Sequence, residues 1–485
     1  MGTNLRIRTI KAAGMAIAAG LLVWVSCGKN GDSRPQDQYP VYTSYTDIPG
    51  VSGEEIEAIE AFRARGKPFV YGMNPATETF YDRDGKIRGY SALFCDWLSE
   101  LFGIRFEPAV YEWGSLVAGL EDGTIDFTGE LTATDERRET YFMTDAIAGR
   151  SIKFMRIAGS EPFSEIEKTR PLRFAFLDGT TSLGLVSPHI QGEFSTVLIE
   201  DYKTAYNMLK SGDVDAFFEE GTAEAAFDEY GDVTAENFFP LIYGQVSFSA
   251  RNPRLRPFVS VVQKALQADG IRHLIELYNQ GHQEYLRHKL FLQLNEEERA
   301  YILEHTGDPP VPVKVGLEYD NYPVCFYNTR EQSWQGIAID VLAEMETLTG
   351  LSFGRADDDP TEWPRLLDML ERGEASMISE LIRSPEREGR FLWTTESFQT
   401  DYYALLSKSD FRDVKINEIL YTRVGLIQDT VYAELFRAWF PNHSDTVEYV
   451  STADGFTALE HGEIDLLMAT RNLLLSLTHY QEKTG

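Results

Sequence analysis

Apolar residues along this chain follow two alternating rhythms. Spacings of three and four over 53–65 (Ile56, Ile59, Phe62), 90–102, 113–120 and 205–210 predict amphipathic helices. Short apolar runs at 68–71, 104–110, 125–127, 173–177 and 213–218 predict strands. Gly123 closes the helix over 113–120. The run Leu131-Thr132-Ala133-Thr134-Asp135-Glu136-Arg137 reads as a loop opening a helix, and 245–280 as one strand and two helices. Strands separated by helices imply α/β layers with parallel sheets.

The same pattern returns 250 residues later. Between 112–144 and 362–394 no gap is needed, and eleven of 33 positions are identical, among them Glu112/Glu362, Trp113/Trp363, Glu130/Glu380 and Arg137/Arg387. Chance would give roughly two. The frame reappears at Arg173/Arg423, Thr180/Thr430, Gly212/Gly462 and Asp215/Asp465. A period this long is too large for a solenoid, so it marks a duplicated globular domain. Each copy has its own entry helix, at 53–65 and 295–305.

A net charge of −31 argues against nucleic acid, whose phosphates require Lys and Arg, and against adhesion to anionic lipid by charge. Hydrophobic content of 43% is ample for packed cores. Arg6, Arg8 and Lys11 precede an uncharged run over 12–25 and then Ser26-Cys27, an export signal pattern. Cys27 fits a lipidated first residue of a bacterial lipoprotein; an uncleaved signal anchor is the alternative. Either way the bulk of the chain is expected to be extracytoplasmic and membrane-anchored. Residues 28–50 read as a tether. Cys95 and Cys325 lie in apolar settings in different copies, which implies core residues rather than a disulfide. No metal-ligand spacing or cofactor motif is present.

Thr134 is a natural N-cap with Asp135 and Glu136 in the first helical turn; in copy two the positions read Ser384-Pro385-Glu386-Arg387. A helix N-terminus with an Arg fork makes a candidate anion site. A surface Arg paired with a neighbouring Glu is the competing reading.

The run 131–137, Asp178-Gly179-Thr180 and Gly212-Asp213-Val214-Asp215-Ala216 resemble the family-3 bacterial extracytoplasmic solute-binding proteins, over about 66–290 and again 310–485. The resemblance implies two tandem two-lobed periplasmic-binding-protein-like (type II) domains of α/β class. It places domain one at 51–292 (lobe one about 66–155 and 246–292, lobe two about 170–245), a connecting helix and linker at 293–310, and domain two at 311–485. It also implies roles. Arg137 would hold a ligand carboxylate, helped by Thr132 and the loop Gly179-Thr180. Glu220 would hold the ligand amine. Aromatic walls would come from Phe80, Tyr81 and Trp113. Where the family usually has a small residue this chain has Glu130, repeated as Glu380, so the ligand need not be a plain amino acid. Copy two keeps Arg387 but has Ile382, Asp429 and Thr470 at the positions of Thr132, Gly179 and Glu220, so it is expected to have a different ligand specificity or to be a degenerate structural domain.

At offset 250, Gly485 corresponds to Ala235, so the segment matching 236–291 has no counterpart in copy two. A lobe without its return strand leaves an exposed edge, so either copy two folds imperfectly or, the favoured expectation, the sequence is part of a longer protein. Tandem copies with entry helices are similar to the sensory regions of membrane histidine kinases. The leading expectation is a sensor that binds a small polar solute, with a signalling domain as partner. The second is a substrate-binding lipoprotein that serves an ABC-type amino-acid permease. A dehydratase-like enzyme ranks third, because no nucleophile–base constellation is visible.

Overall fold

The computed structural model describes residues 40–357, 361–397 and 399–475. The export segment with Cys27, and residues 28–39 of the expected tether, lie outside the described residues; the rest of that stretch is no tether, since Tyr45 and Ile48 are buried in the lobe-one core. Among those described, no helix is long and apolar enough to cross a membrane.

The first copy is organised by one nine-stranded sheet that serves both lobes. Its order is Phe106–Val110, Phe69–Met73, Phe127–Thr132, Tyr243–Ala250, Phe142–Ile157, Ala216–Glu220, Leu172–Leu177, Phe194–Ile199, with Val233–Asn237 also on Phe142–Ile157. The pairings Phe69–Met73 with Phe106–Val110 and Leu172–Leu177 with Phe194–Ile199 are parallel, as the βαβ rhythm requires. The 16-residue strand Phe142–Ile157 carries the chain between lobes. It pairs antiparallel with Tyr243–Ala250 up to Ser151, and from Ile152 onward with Ala216–Glu220. Two strands therefore cross the hinge side by side.

Lobe one packs around a cluster of aromatic rings. Phe127 stacks on Phe248 at 5.0 Å, and Phe69 meets Phe258 edge-on at 5.0 Å. Lobe two buries Phe174, Phe176 and Phe218 under the other half of the sheet. The entry helix Gly53–Arg63 starts with a reciprocal capping box between Ser52 and Glu55. Glu55 also holds Lys264 and Ser260 on the helix Arg256–Ala265, which fixes the entry helix to lobe one. Its carboxyl is lowered to about 2; burial works against that and the Lys264 hydrogen bond leads the groups that outweigh it.

Contacts at three places join lobe two to lobe one away from the hinge, among the described residues. Thr77 N–H donates to Thr222 O at 2.8 Å. Arg137 reaches Gly179. On the long helix Ile271–Gln293, Tyr285 donates its hydroxyl to Asp228 at 2.6 Å, beside an ion pair from Lys289 to Asp228 at 3.1 Å.

The second copy repeats the plan in separate sheets: Phe353–Arg355, Val313–Gly316, Met377–Ile378 in one, and Tyr403–Leu406, Leu466–Thr470, Val424–Ile427, Thr446–Tyr449 in another. Its second lobe has a full core around Leu426, Phe436 and Leu467. Its first lobe has a smaller core: Val324, Cys325 and Ala338 form one cluster, and Val315, Leu366 and Met369 are buried besides. Met377–Ile378 has no partner on the edge where Phe127–Thr132 pairs with Tyr243–Ala250, among the described residues. Helices Tyr90–Phe102 and Ile337–Thr349 match in length, and each follows a glycine with positive φ, Gly89 and Gly336. A Cβ there would come within 2.5 Å of Glu78 O or 2.4 Å of Val324 O, so neither position accepts a side chain. Cys95 and Cys325 are both buried free thiols.

Candidate functional site

A cavity of about 30 Å³ lies between the lobes of the first copy. Lobe one supplies Asn74, Trp113, Glu130, Thr132 and Arg137, and lobe two supplies Thr180, Ser182, Glu219 and Glu220. Six of the residues expected from the sequence thus meet in one place: Trp113, Glu130, Thr132, Arg137, Thr180 and Glu220. Gly179 adds its carbonyl.

The helix Asp135–Thr140 is only six residues long, and Thr134 Oγ1 caps it by accepting from Arg137 N–H at 3.2 Å. Arg137 turns its guanidinium inward. Nη1 donates to Thr132 O at 3.1 Å and Nη2 to Gly179 O at 2.9 Å, with the Trp113 ring 5.7 Å from Cζ. It makes no ion pair with a neighbouring Glu among the described residues, and burial lowers its pKa. Gly179 presents that carbonyl from a left-handed turn at φ 75°.

Glu130 and Glu220 are engaged by a residue that sequence reasoning did not single out. Arg150, 4% exposed, sits on the hinge strand. Its Nη1 donates to Glu130 and to Glu220, both at 2.7 Å, and its Nη2 and Nε donate to Glu78 at 2.7 and 3.1 Å. Burial opposes the Arg150 charge; Glu130, Glu78 and Glu220 outweigh it, so its pKa is raised. Gly244, opposite Arg150 in the sheet, leaves room for this cluster: a Cβ there would stand 2.8 Å from Glu220 Oε1. The signal in the sequence was Glu130 itself, an acid in an apolar strand that requires a buried cation.

Two further acceptors were missed. Glu219, 4% exposed, accepts from Ser182 Oγ and from Glu220 N–H at Oε1, each at 2.9 Å, while Oε2 has no partner. Asn74, 5% exposed, leaves Oδ1 without one. Burial and then Glu220 push the Glu219 carboxyl up to about 7.

Two expected wall residues lie elsewhere. Phe80 packs its ring on His288 at 4.7 Å and on Tyr285, and Tyr81 is 53% exposed. Both belong to a short hairpin, Phe80–Tyr81 with Ile87–Arg88, which leans on the long helix instead of facing the cleft.

In copy two Arg387 is 2% exposed and donates to Ile382 O at 3.3 Å and Asp429 O at 2.7 Å, with Glu434 at 3.4 Å. Asp429 holds the left-handed position of Gly179, at φ 57°, and Trp363 Nε1 donates to its carbonyl at 2.9 Å.

The model of the bacterial extracellular solute-binding proteins, family 3, matches residues 70–280 and 313–442. No curated protein matches the chain. Similar solved structures include the periplasmic domain of BvgS from B. pertussis (19% identity, 87% of this chain and 82% of that one, TM-score 0.35). A structure described as VC protein has 18% identity over 85% of this chain and 88% of that one, TM-score 0.46. The amino-acid transporter substrate-binding protein AbpA from Streptococcus pneumoniae, bound to L-arginine, has 17% identity over 47% of this chain and 98% of that one, TM-score 0.39.

Proposed function

We propose that this chain, which belongs to the bacterial extracellular solute-binding proteins of family 3, closes the lobes of its first copy on a small zwitterionic solute and serves as the membrane-tethered sensory part of a signal-transduction protein. The observation that carries the reading is the pairing of opposite chemistries across one cavity. Arg137 offers a cationic fork at one side, and the unpartnered Asn74 Oδ1 and Glu219 Oε2 offer acceptors from the two lobes. A carboxylate suits the first and an ammonium the second.

A volume of about 30 Å³ has room for a water or two, so a solute enters only when the lobes part. Opening breaks the contacts from Arg137 to Gly179, Thr77 to Thr222 and Arg150 to Glu220. Each is worth roughly 1–3 kcal/mol, comparable with what a bound zwitterion returns through its own charge-assisted bonds. Closure then becomes the signal, because the solute's contacts to both lobes exist only in the closed state.

The test is a thermal-shift screen of the full chain and of Arg137→Ala against amino acids and small carboxylates. A ligand at a hundred times Kd stabilises by about 2.7 kcal/mol. A shift in the wild type that vanishes in Arg137→Ala supports the reading; well-folded protein with no shift from any solute counts against it. Duplication with two capped entry helices favours the sensor over the uptake component. Ser26-Cys27 at the end of the apolar run favours a lipoprotein of an uptake system. A membrane span and signalling domain encoded after Gly485 would decide for the sensor, and a stop codon there for uptake.

A further inference from the structure

A second concavity, about 270 Å³, lies outside the cleft, between the hairpin at residues 80–88 and the C-terminal half of the helix Ile271–Gln293. Its floor is aromatic: Phe80 stacked on His288, and Phe291. Its charges are mostly positive. Arg88 is committed to Asp82 at 2.9 Å, and Glu284 accepts from Gly89 N–H at 3.2 Å. Arg83 and Arg287 have no carboxylate partner among the described residues. Arg287 uses Nε–H on Thr347 O at 2.7 Å, which leaves its terminal N–H groups free to face the groove. Arg83 stands over the Phe291 ring, and Arg299 lies on the same ring at 4.3 Å with a buried Nε that has no acceptor. In a chain of net charge −31, like-charged guanidinium groups gathered on one ring without an acid between them are an unbalanced arrangement. An anion from outside would balance it.

We propose that this groove is a second ligand site, for a small organic anion with a flat unsaturated body. Its carboxylate lies on Arg83 and Arg287, and its body lies against Phe80, because Arg83 and Arg299 already cover the Phe291 ring. The forked donors suit a carboxylate and the apolar floor suits the body; inorganic phosphate offers the first match without the second. The site shares no lining residue with the interlobe cleft, and its occupancy would bear on the seam where Arg287 meets the second copy.

The probe is benzoate, titrated calorimetrically into the full chain, with inorganic phosphate as a parallel arm. Arg83 and Arg287 are exposed, so Arg83→Gln and Arg287→Gln are expected to fold normally, which the melting temperature checks. We expect benzoate to bind, with Kd raised about tenfold or more in either variant. Arg83→Lys should fall between, and Arg137→Ala, which damages the cleft, should leave benzoate binding unchanged. No benzoate binding, binding that survives Arg83→Gln with Arg287→Gln, or loss in Arg137→Ala alone would each overturn the proposal. Phosphate that binds as tightly as benzoate and displaces it would overturn the organic body. Failure here leaves the cleft reading standing, because the Arg137→Ala arm reports on that separately.

Discussion

In the first copy Arg137 donates to the carbonyls of Thr132 and Gly179; in the second Arg387 donates to Ile382 and Asp429, the same positions 250 residues on. What surrounds that arginine differs. The first copy sets Arg150 among Glu78, Glu130 and Glu220. The second has Asp401 at the position of Arg150, since Tyr403 pairs with Thr470 as Ile152 pairs with Glu220; it has Thr470 at that of Glu220, and Val324 at that of Glu78, the residue whose carbonyl the helix glycine abuts in each copy. It keeps Glu380, and it adds Glu318 where the first copy has Asn74, since Val315 pairs with Met377 as Tyr71 pairs with Phe127. Burial and then the neighbouring Glu380 raise the Glu318 pKa, and burial lifts Glu380 to about 7. The first cleft thus gathers three of its acids on one internal cation, whereas the acids of the second have no such cation and are raised by burial. The arginine common to both is a lobe-bridging element whose bonds do not depend on ligand chemistry; the acids are where the copies diverge.

The largest expected effect is that of Arg150→Ala. It strands Glu78 and Glu130 in a dry interior, and the first-copy unfolding transition should lose about 3–5 kcal/mol by denaturant titration. A loss below about 1 kcal/mol would show the cluster to be solvated and the contrast between copies to be superficial. Next comes Arg387→Ala, with an expected loss of about 2–3 kcal/mol in the second-copy transition, because a buried side chain with charged donors on two part-buried carbonyls is removed.

Smaller, and opposite in sign, is Glu380→Gln. A carboxyl whose folded pKa is raised favours folding while protonated, so its contribution falls as pH rises from about 4.5 toward 7. Removing that titration should stabilise the second copy by about 1–2 kcal/mol at pH 8 and leave it nearly unchanged at pH 5. Glu219→Gln should do the same for the first copy, since Glu219 also titrates at about 7. Equal melting-temperature shifts at both pH values would contradict both assignments. Smallest of all, Thr400→Ala should stay within about 0.5 kcal/mol, being an exposed residue next to Asp401, the counterpart of Arg150.

The duplication, the α/β alternation and the gathering of Arg137, Thr132, Trp113, Thr180, Glu130 and Glu220 were legible because each rests on local pattern or on an in-register repeat. The hinge strand Phe142–Ile157 was not. It serves lobe one with its first half and lobe two with its second, so the faces it buries change partway and no single period-two pattern survives. Arg150 sits at that change, where a basic residue resembles a break in a strand. Phe80 and Tyr81 misled because an aromatic pair near a cleft motif says nothing of which way its hairpin leans. Glu219 and Asn74 carried no pattern; only the folded geometry leaves their oxygens without donors.

The long helix Ile271–Gln293 touches three bodies within little more than one turn. Tyr285 and Lys289 hold Asp228 of lobe two, and between them Arg287 holds Thr347 on the helix Ile337–Thr349 of the second copy. The helix itself stands on lobe one, with Leu274 in its core. Mechanically this is a fulcrum under a rocker. Were the lobes to part as proposed, Asp228 would leave a phenol that is 1% exposed, two residues from the joint to the second copy. Lobe position in one domain and the footing of the next are therefore set on the same stretch of backbone.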